Sequence, residues 1–362
     1  MSRLLPPVAA LATIACVAAV TAVTGVTVVA AGHPAGASSD NAHASGPTSA
    51  SRSTSSARAG SPSISAPAVA RRAATPARAV RPTLHLVNGT YYRSSRPVSA
   101  PPVMKARAWA VADLDSGRII ATHGRHNRLP QASTIKLLTA VTAADRVPRL
   151  PSHRITQAEA HPQYCTCAGL VPGERYTRKA LLAGMLLPSG NDAAEAIAGS
   201  DPEGRATFIA AMNAKAKALG AKHTVVVTPS GLTAEGAHST AYDLLVFLRA
   251  AIANPVVEPI LEMPSFQLGP RGGTTHLIHR ATHYVNVYPG SLGKSGYTTP
   301  AKSTLVVSTP ISGHHIGVAT LGAPSGRSST SGARALTRWA ASNFRALVLL
   351  GRLPAAPGPA LG

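Results

Sequence analysis

Ser133 and Lys136 set a hydroxyl and an amine three residues apart. They stand in Gln131-Ala132-Ser133-Thr134-Ile135-Lys136-Leu137-Leu138-Thr139-Ala140, which reads as the start of an apolar helix with a serine in its first turn. Positions three apart share a helix face, so the hydroxyl and the amine would point the same way. A serine hydroxyl is a weak nucleophile until a base takes its proton. Lys136 serves as that base only when neutral, and burial or a second nearby cation pushes a lysine pKa down. Bringing a lysine from ~10.4 towards ~8 takes roughly 3 kcal/mol of differential interaction. Ser-x-x-Lys alone carries little weight, because a second copy, Ser291-Leu292-Gly293-Lys294, lies in a Gly- and Pro-rich stretch unsuited to a helix.

Two further groups raise the weight. Leu187-Pro188-Ser189-Gly190-Asn191-Asp192 places a hydroxyl and a carboxamide in a turn between two helices. Gly293-Lys294-Ser295-Gly296-Tyr297 offers a cation, a hydroxyl and a glycine that lets a ligand approach backbone closely. Ser39-Asp40-Asn41 copies the second pattern, but it precedes the serine and sits in low-complexity sequence. The three ordered, well-separated elements are the set that serine acyl-transfer sites use.

The elements that must hold these groups follow from the apolar pattern. Residues 106–114 and 118–122 flank the turn signal Asp115-Ser116-Gly117 and read as an antiparallel hairpin. Helices are expected after Ser133, over Thr177 to Leu187 and over Asn191 to Ala198. Another should open at Asp201-Pro202 and end at Gly220, and another should span Ala241 to Ala253 behind Ser239-Thr240. Pro148 to Cys167 reads as loop, Thr304–Ser308 and His315–Thr320 as strands, and 331–347 as a last helix. Strands at both ends with helices between imply an α/β or α+β fold, a mainly antiparallel sheet packed by helices.

Outside this domain, residues 4–31 carry no charged side chain, enough to span a bilayer or to serve as a signal peptide. Either reading places the protein outside the cytoplasm, in the cell wall or tethered to the membrane. Residues 32–102 are rich in Ala, Ser, Pro and Arg and read as a disordered basic tether. A small hairpin is the exception, around Asn88-Gly89 within residues 84–92. The catalytic domain is expected over 103–348, with a flexible tail at 349–362. Net charge is +21, which suits an anionic partner such as wall polymer or lipid. No zinc-finger spacing or aromatic-interleaved basic run supports nucleic acid. Cys165 and Cys167 could close a tight bridge, pair between chains or stay free. With His161 they fall short of a four-ligand site, so no metal is expected, and no cofactor.

At this point the chain resembles the serine-type D-alanyl-D-alanine carboxypeptidases of the low-molecular-mass penicillin-binding proteins, over roughly Val103 to Leu347. The resemblance extends to Leu186-Leu187-Pro188-Ser189-Gly190-Asn191-Asp192-Ala193-Ala194, to Thr228-Pro229-Ser230-Gly231-Leu232 and to His238-Ser239-Thr240-Ala241-Tyr242-Asp243-Leu244. It implies a transpeptidase-like fold with a helical subdomain and a penicillin-sensitive enzyme that trims the terminal D-alanine from peptidoglycan stem peptides. On that resemblance Ser133 is the nucleophile, Lys136 its base and Ser189 a proton relay. Asn191 holds the substrate amide, Lys294 and Ser295 bind the terminal carboxylate, and Gly296 and Tyr297 line the substrate strand. The N–H groups of Ser133 and Tyr297 would form the oxyanion hole. The chain departs in having Ser295 where threonine is common, in lacking a glycine-aromatic step after Thr299, and in its Cys165-Thr166-Cys167 loop. The alternatives are a β-lactamase, a DD-endopeptidase and a non-catalytic wall-binding or penicillin-sensing protein. Lys217 to Val227 holds no acid to activate a deacylating water, which disfavours the β-lactamase.

Overall fold

The computed structural model describes residues 81–355 apart from 147–151 and 271. The apolar segment 4–31 with Cys16, the tether up to residue 80 and the tail from 356 lie outside the described residues. Strands β1 (Thr83–Val87) and β2 (Thr90–Ser94) form a hairpin, turning at Asn88 and Gly89, both at positive φ. β3 (Ala108–Asp113) and β4 (Arg118–His123) form the second hairpin. A 3-10 turn at Ala132–Ile135 leads into α1 (Lys136–Arg146). A short strand pair, β5 (His153–Arg154) and β6 (Arg175–Tyr176), brackets α2 (Gln157–Ala160).

The helical part follows as α3 (Arg178–Leu186), α4 (Asn191–Gly199), α5 (Gly204–Ala218), α6 (Ala241–Ile252) and α7 (Glu258–Glu262). β7 (Ser265–Leu268) pairs with β8 (His276–His279), and α8 (His283–Val287) comes next. The chain then returns to the main sheet through β9 (Leu292–Thr298), β10 (Lys302–Ile311) and β11 (His314–Ala323). Helix α9 (Gly326–Asn343) and two short strands, β12 (Leu347–Val348) and β13 (Gly351–Arg352), complete the described chain.

The main sheet is nine-stranded, in the order β1-β2-β4-β3-β11-β10-β9, with β12 beside β2 and β13 beside β4. Every pairing in it is antiparallel, as expected from the sequence. β3 against β11 joins the two halves of the chain. Successive strand residues face opposite sides. Accordingly Ala108, Ala110 and Ala112 pack with the helical part, while Trp109 and Val111 pack with Leu336, Trp339 and Ala340 of α9. The alanines keep the first face flat. Helix α6 lies against that face, buried at Leu244, Leu245, Val246, Phe247 and Leu248. Its continuous apolar run from Leu244 to Leu248 suits a helix largely enclosed by the domain.

Several boundaries differ from the sequence expectation. Residues 83–102, placed in the tether, belong to the folded domain. β2 pairs with β4, Tyr92 is buried against Trp339, and Trp339 Nε1 donates to the Ser99 carbonyl at 2.9 Å. Residues 349–355, placed in the tail, are tied down by Leu350 N to Ile119 O (3.0 Å), Leu353 N to Gly117 O (2.7 Å) and the buried Leu353. Asp201 does not cap α5. Its carboxylate takes Arg146 and the Glu203 N–H, and after a turn in which Gly204 N donates to Asp201 O the helix starts at Gly204, with Glu203 at its cap position. The last helix starts earlier than expected, because Ser325 accepts from Ser328 N as its cap, and it ends at Asn343. The stretch expected as loop before Cys167 contains α2, fixed by a capping box of Thr156 and Glu159.

These contacts predict that a chain beginning at Val103 melts well below one beginning at Arg81. Loss of a buried tyrosine alone costs about 3 kcal/mol or more, worth roughly 5 °C or more in a domain this size. Equal melting temperatures in a calorimeter would contradict the assignment of the hairpin to the core.

Candidate active site

The site forms where α1 begins against the edge strand β9. Ala132 has φ +48°, a left-handed conformation that costs a residue with a Cβ about 1 kcal/mol. Opposite it, Gly231 has φ +82°, and a Cβ there would stand 2.0 Å from the Ala132 carbonyl oxygen. Glycine is therefore required in Thr228-Pro229-Ser230-Gly231-Leu232. The same segment turns its carbonyls onto α1. Pro229 O accepts from Thr139 Oγ1 (2.7 Å) and Ser230 O accepts from Lys136 Nζ (2.9 Å).

Lys136 is fully buried at the start of α1. Its Nζ lies 2.9 Å from Ser133 Oγ, 2.7 Å from Asn191 Oδ1 and 2.9 Å from the Ser230 carbonyl. A neutral amine has two N–H groups and one lone pair. Asn191 Oδ1 and Ser230 O can only accept, so once Lys136 is neutral they take the two N–H groups and the lone pair is left for the Ser133 hydroxyl. Burial drives the Lys136 pKa well below the usual lysine value, and the nearby Lys294 lowers it further. Asp192 and Glu195 act in the opposite sense. Both are engaged elsewhere. Asp192 accepts from the N–H groups of Ala168, Gly169 and Leu170, and Glu195 pairs with Arg205.

The second and third motifs meet across the cleft. Ser189 has φ +72°, and its Oγ accepts from Lys294 Nζ at 2.9 Å. Gly190 turns the chain into α4, and a Cβ there would lie 2.6 Å from the Gly184 carbonyl. Lys294 sits on β9, fully buried, with Nζ also donating to the Ser295 carbonyl (2.9 Å). Burial lowers its pKa to about 7. Thr282 Oγ1 accepts from Ser295 N at 3.2 Å and lies 3.3 Å from Ser295 Oγ. Gly296 stands where a Cβ would come within 2.6 Å of Ser133 N and 2.8 Å of Thr304 Oγ1. Its lack of a side chain lets β9 close on the nucleophile turn. Tyr297 follows with its side chain 63% exposed at the cleft.

The structure thus brings all eight sequence-expected site residues into one place. Ser133, Lys136 and Asn191 form one hydrogen-bonded group. Ser189, Lys294 and Ser295 form a second, and Gly296 and Tyr297 extend it along β9. Sequence reasoning missed the Ser230 carbonyl, Thr282, Thr304 and Thr166. The first lies in a segment already noted for its residue pattern; the threonines carry no spacing signal. After Thr299, where the glycine-aromatic step is lacking, the chain makes a turn, with Ala301 N donating to Thr298 Oγ1, and β10 begins at Lys302. Cys165 and Cys167 form a disulfide, and Thr166 between them lines the cleft. The cleft measures about 1140 Å³ and extends from Ser133 to Arg327, Arg334 and Arg338 of α9. No Asp or Glu is among the described residues that line it.

Residues 95–325 match the family described as D-alanyl-D-alanine carboxypeptidase, and the chain belongs to that family. The D-alanyl-D-alanine carboxypeptidase DacB2 of Mycobacterium tuberculosis is 42% identical over 217 residues, 59% of this chain and 74% of that protein. DacD of Escherichia coli, also named as a D-alanyl-D-alanine carboxypeptidase, is 30% identical over 266 residues, 70% of this chain and 67% of its own. A crystal structure of a D-alanyl-D-alanine carboxypeptidase from M. tuberculosis superposes with a TM-score of 0.65 at 37% identity. It covers 70% of this chain and 97% of that one.

A buried lysine with a lowered pKa costs folding free energy. The cost is complete below the folded value of about 7, where the buried ammonium must be kept, and fades as pH rises towards the value of a free lysine. Lys294→Met should therefore raise the melting temperature more at pH 6 than at pH 9. A shift equal at both pH values would contradict the assignment of the cost to the Lys294 charge.

Proposed function

We propose that the protein is a serine-type D-Ala-D-Ala carboxypeptidase that releases the terminal D-alanine of peptidoglycan stem peptides through an acyl-enzyme on Ser133. The observation that carries this reading is the buried Lys136 Nζ, which lies 2.9 Å from Ser133 Oγ while Asn191 Oδ1 and the Ser230 carbonyl, both acceptors, take its other two contacts. Lys136 takes the hydroxyl proton as Oγ attacks the carbonyl of the penultimate residue. Charge on the carbonyl oxygen is met by the N–H groups of Ser133 and Tyr297, which Gly296 allows to approach each other. The proton passes through Ser189 to the leaving amine, the C–N bond breaks, and D-alanine departs. Water then splits the ester and restores Ser133.

Lys294 and the Ser295 hydroxyl suit the terminal carboxylate, since an ammonium and a hydroxyl give a charge-assisted and a neutral hydrogen bond. Ser295 keeps the hydroxyl that threonine usually supplies, and Thr282 beside it orients the site. A penicillin carries a carboxylate and a strained amide in the same relation, so it acylates Ser133 as well. Among the described residues that line the cleft there is no carboxylate to activate water against that acyl group, so the adduct persists. This argues for a carboxypeptidase over a β-lactamase.

We also propose export, from the apolar segment 4–31 and the extracellular nature of the substrate. Its basic tether is proposed to contact anionic wall polymer or lipid.

Intact mass of the purified protein with a labelled penicillin tests the reading. A long-lived adduct is expected, absent from Ser133→Ala, together with D-alanine release from a D-Ala-D-Ala peptide. Rapid clearance of the adduct would favour a β-lactamase, cleavage of cross-linked peptides without D-alanine release a DD-endopeptidase, and no adduct a wall-binding protein.

A further inference from the structure

The Cys165-Thr166-Cys167 loop has a fixed relation to the catalytic groups. The Tyr164 carbonyl accepts from Asn191 Nδ2 at 3.2 Å, and the Thr166 carbonyl accepts from Asn191 N at 2.7 Å. The third polar group of Asn191, Oδ1, accepts from Lys136 Nζ. The loop therefore decides which way the Asn191 carboxamide points. Turned over, the same amide would present NH₂ to the Lys136 amine in place of an acceptor, and Lys136 would be free to point an N–H at Ser133.

Two anchors limit the loop. On its C-terminal side the Asp192 carboxylate holds the N–H groups of Ala168, Gly169 and Leu170. On its own span the Cys165–Cys167 disulfide closes a ring of three residues, beside Tyr164 at φ +56°. A cross-link removes conformations otherwise open to the chain. Cys165, Thr166 and Cys167 are all exposed, so a thiol reaches the bridge from solvent.

We propose that this disulfide ring is a redox-set positioning device for Asn191: closed, it holds the carboxamide that orients the Lys136 amine, and opened, it releases it and slows acyl transfer. The inference rests on the carboxypeptidase reading. Opening needs a dithiol reductant. One thiolate attacks a cysteine sulfur to give a mixed disulfide, the second displaces it, and the dithiol leaves as a disulfide with both cysteines as thiols. Thr166, whose residue lines the cleft between the two cysteines, moves with the ring.

The test uses the full-length protein, reduced with dithiothreitol that is then removed under nitrogen. The rate of penicillin acylation at Ser133 is followed by intact mass, and exchange of the Asn191 backbone amide by hydrogen-deuterium measurement. On reduction the acylation rate should fall about tenfold, the loss expected from misplacing one group that orients the base. Asn191 exchange should quicken, the melting temperature should change little, and reoxidation should restore both rates. The Cys165→Ser/Cys167→Ser variant should sit at the slow rate with or without reductant. Unchanged acylation and unchanged Asn191 exchange on reduction would overturn the proposal while leaving the carboxypeptidase reading intact. Absence of an adduct in either state would overturn that reading, and Asn191 exchange would then decide the role of the ring alone.

Discussion

Two lysine amines share one buried site, and much else in the domain is arranged around the cost of keeping them there. Lys136 and Lys294 are each fully buried, with pKa values lowered first of all by loss of water. Lys294 also bears on Lys136 as a neighbouring cation. An unpaired buried charge is expensive, so such a group either finds hydrogen-bond partners or gives up its proton. Here both happen. Asn191 Oδ1 and the Ser230 carbonyl face Lys136, while Ser189 Oγ and the Ser295 carbonyl face Lys294. These acceptors satisfy N–H groups without adding a carboxylate that would hold either lysine charged.

That requirement explains the backbone around the site. Carbonyls aimed at Lys136 come from a loop pressed against Ala132, which only a glycine at 231 permits. The edge strand β9 carries Lys294 and must also approach the nucleophile turn, which only a glycine at 296 permits. Ala132 and Ser189 adopt left-handed backbone, where side chains are disfavoured, at the two points that present the reacting hydroxyls. The rigid sheet and the interior helix α6 hold these conformations against relaxation.

Much of this was readable from residue types and order. The three motifs, the helix starts at Thr177, Asn191 and Thr240, and the central hairpin all have local signals, such as a cap, a turn or an alternation, and the structure places them as expected. The misses share a cause. The hairpin around Asn88-Gly89 is legible from its turn, but its place in the folded domain is not, because its partners, β4 and the end of α9, lie distant in sequence. Residues 349–353 look like tail for the same reason. Asp201 has the composition of a cap, but tertiary pairing with Arg146 claims it. Within the site, the Ser230 carbonyl and the Tyr164 and Thr166 carbonyls act through backbone, which no side-chain pattern announces. The pairing of Cys165 with Cys167 was one of three open choices from sequence.

Acyl transfer at Ser133 depends on Lys136 presenting a lone pair to the hydroxyl. Nitrogen NMR of the full-length protein labelled at lysine Nζ, assigned with Lys136→Gln, measures this directly. The Lys136 signal is expected to convert to the neutral amine while the exposed lysines are still fully charged. A Lys136 ammonium that titrates together with the exposed lysines would contradict it, because no base would then be available to the Ser133 hydroxyl at neutral pH.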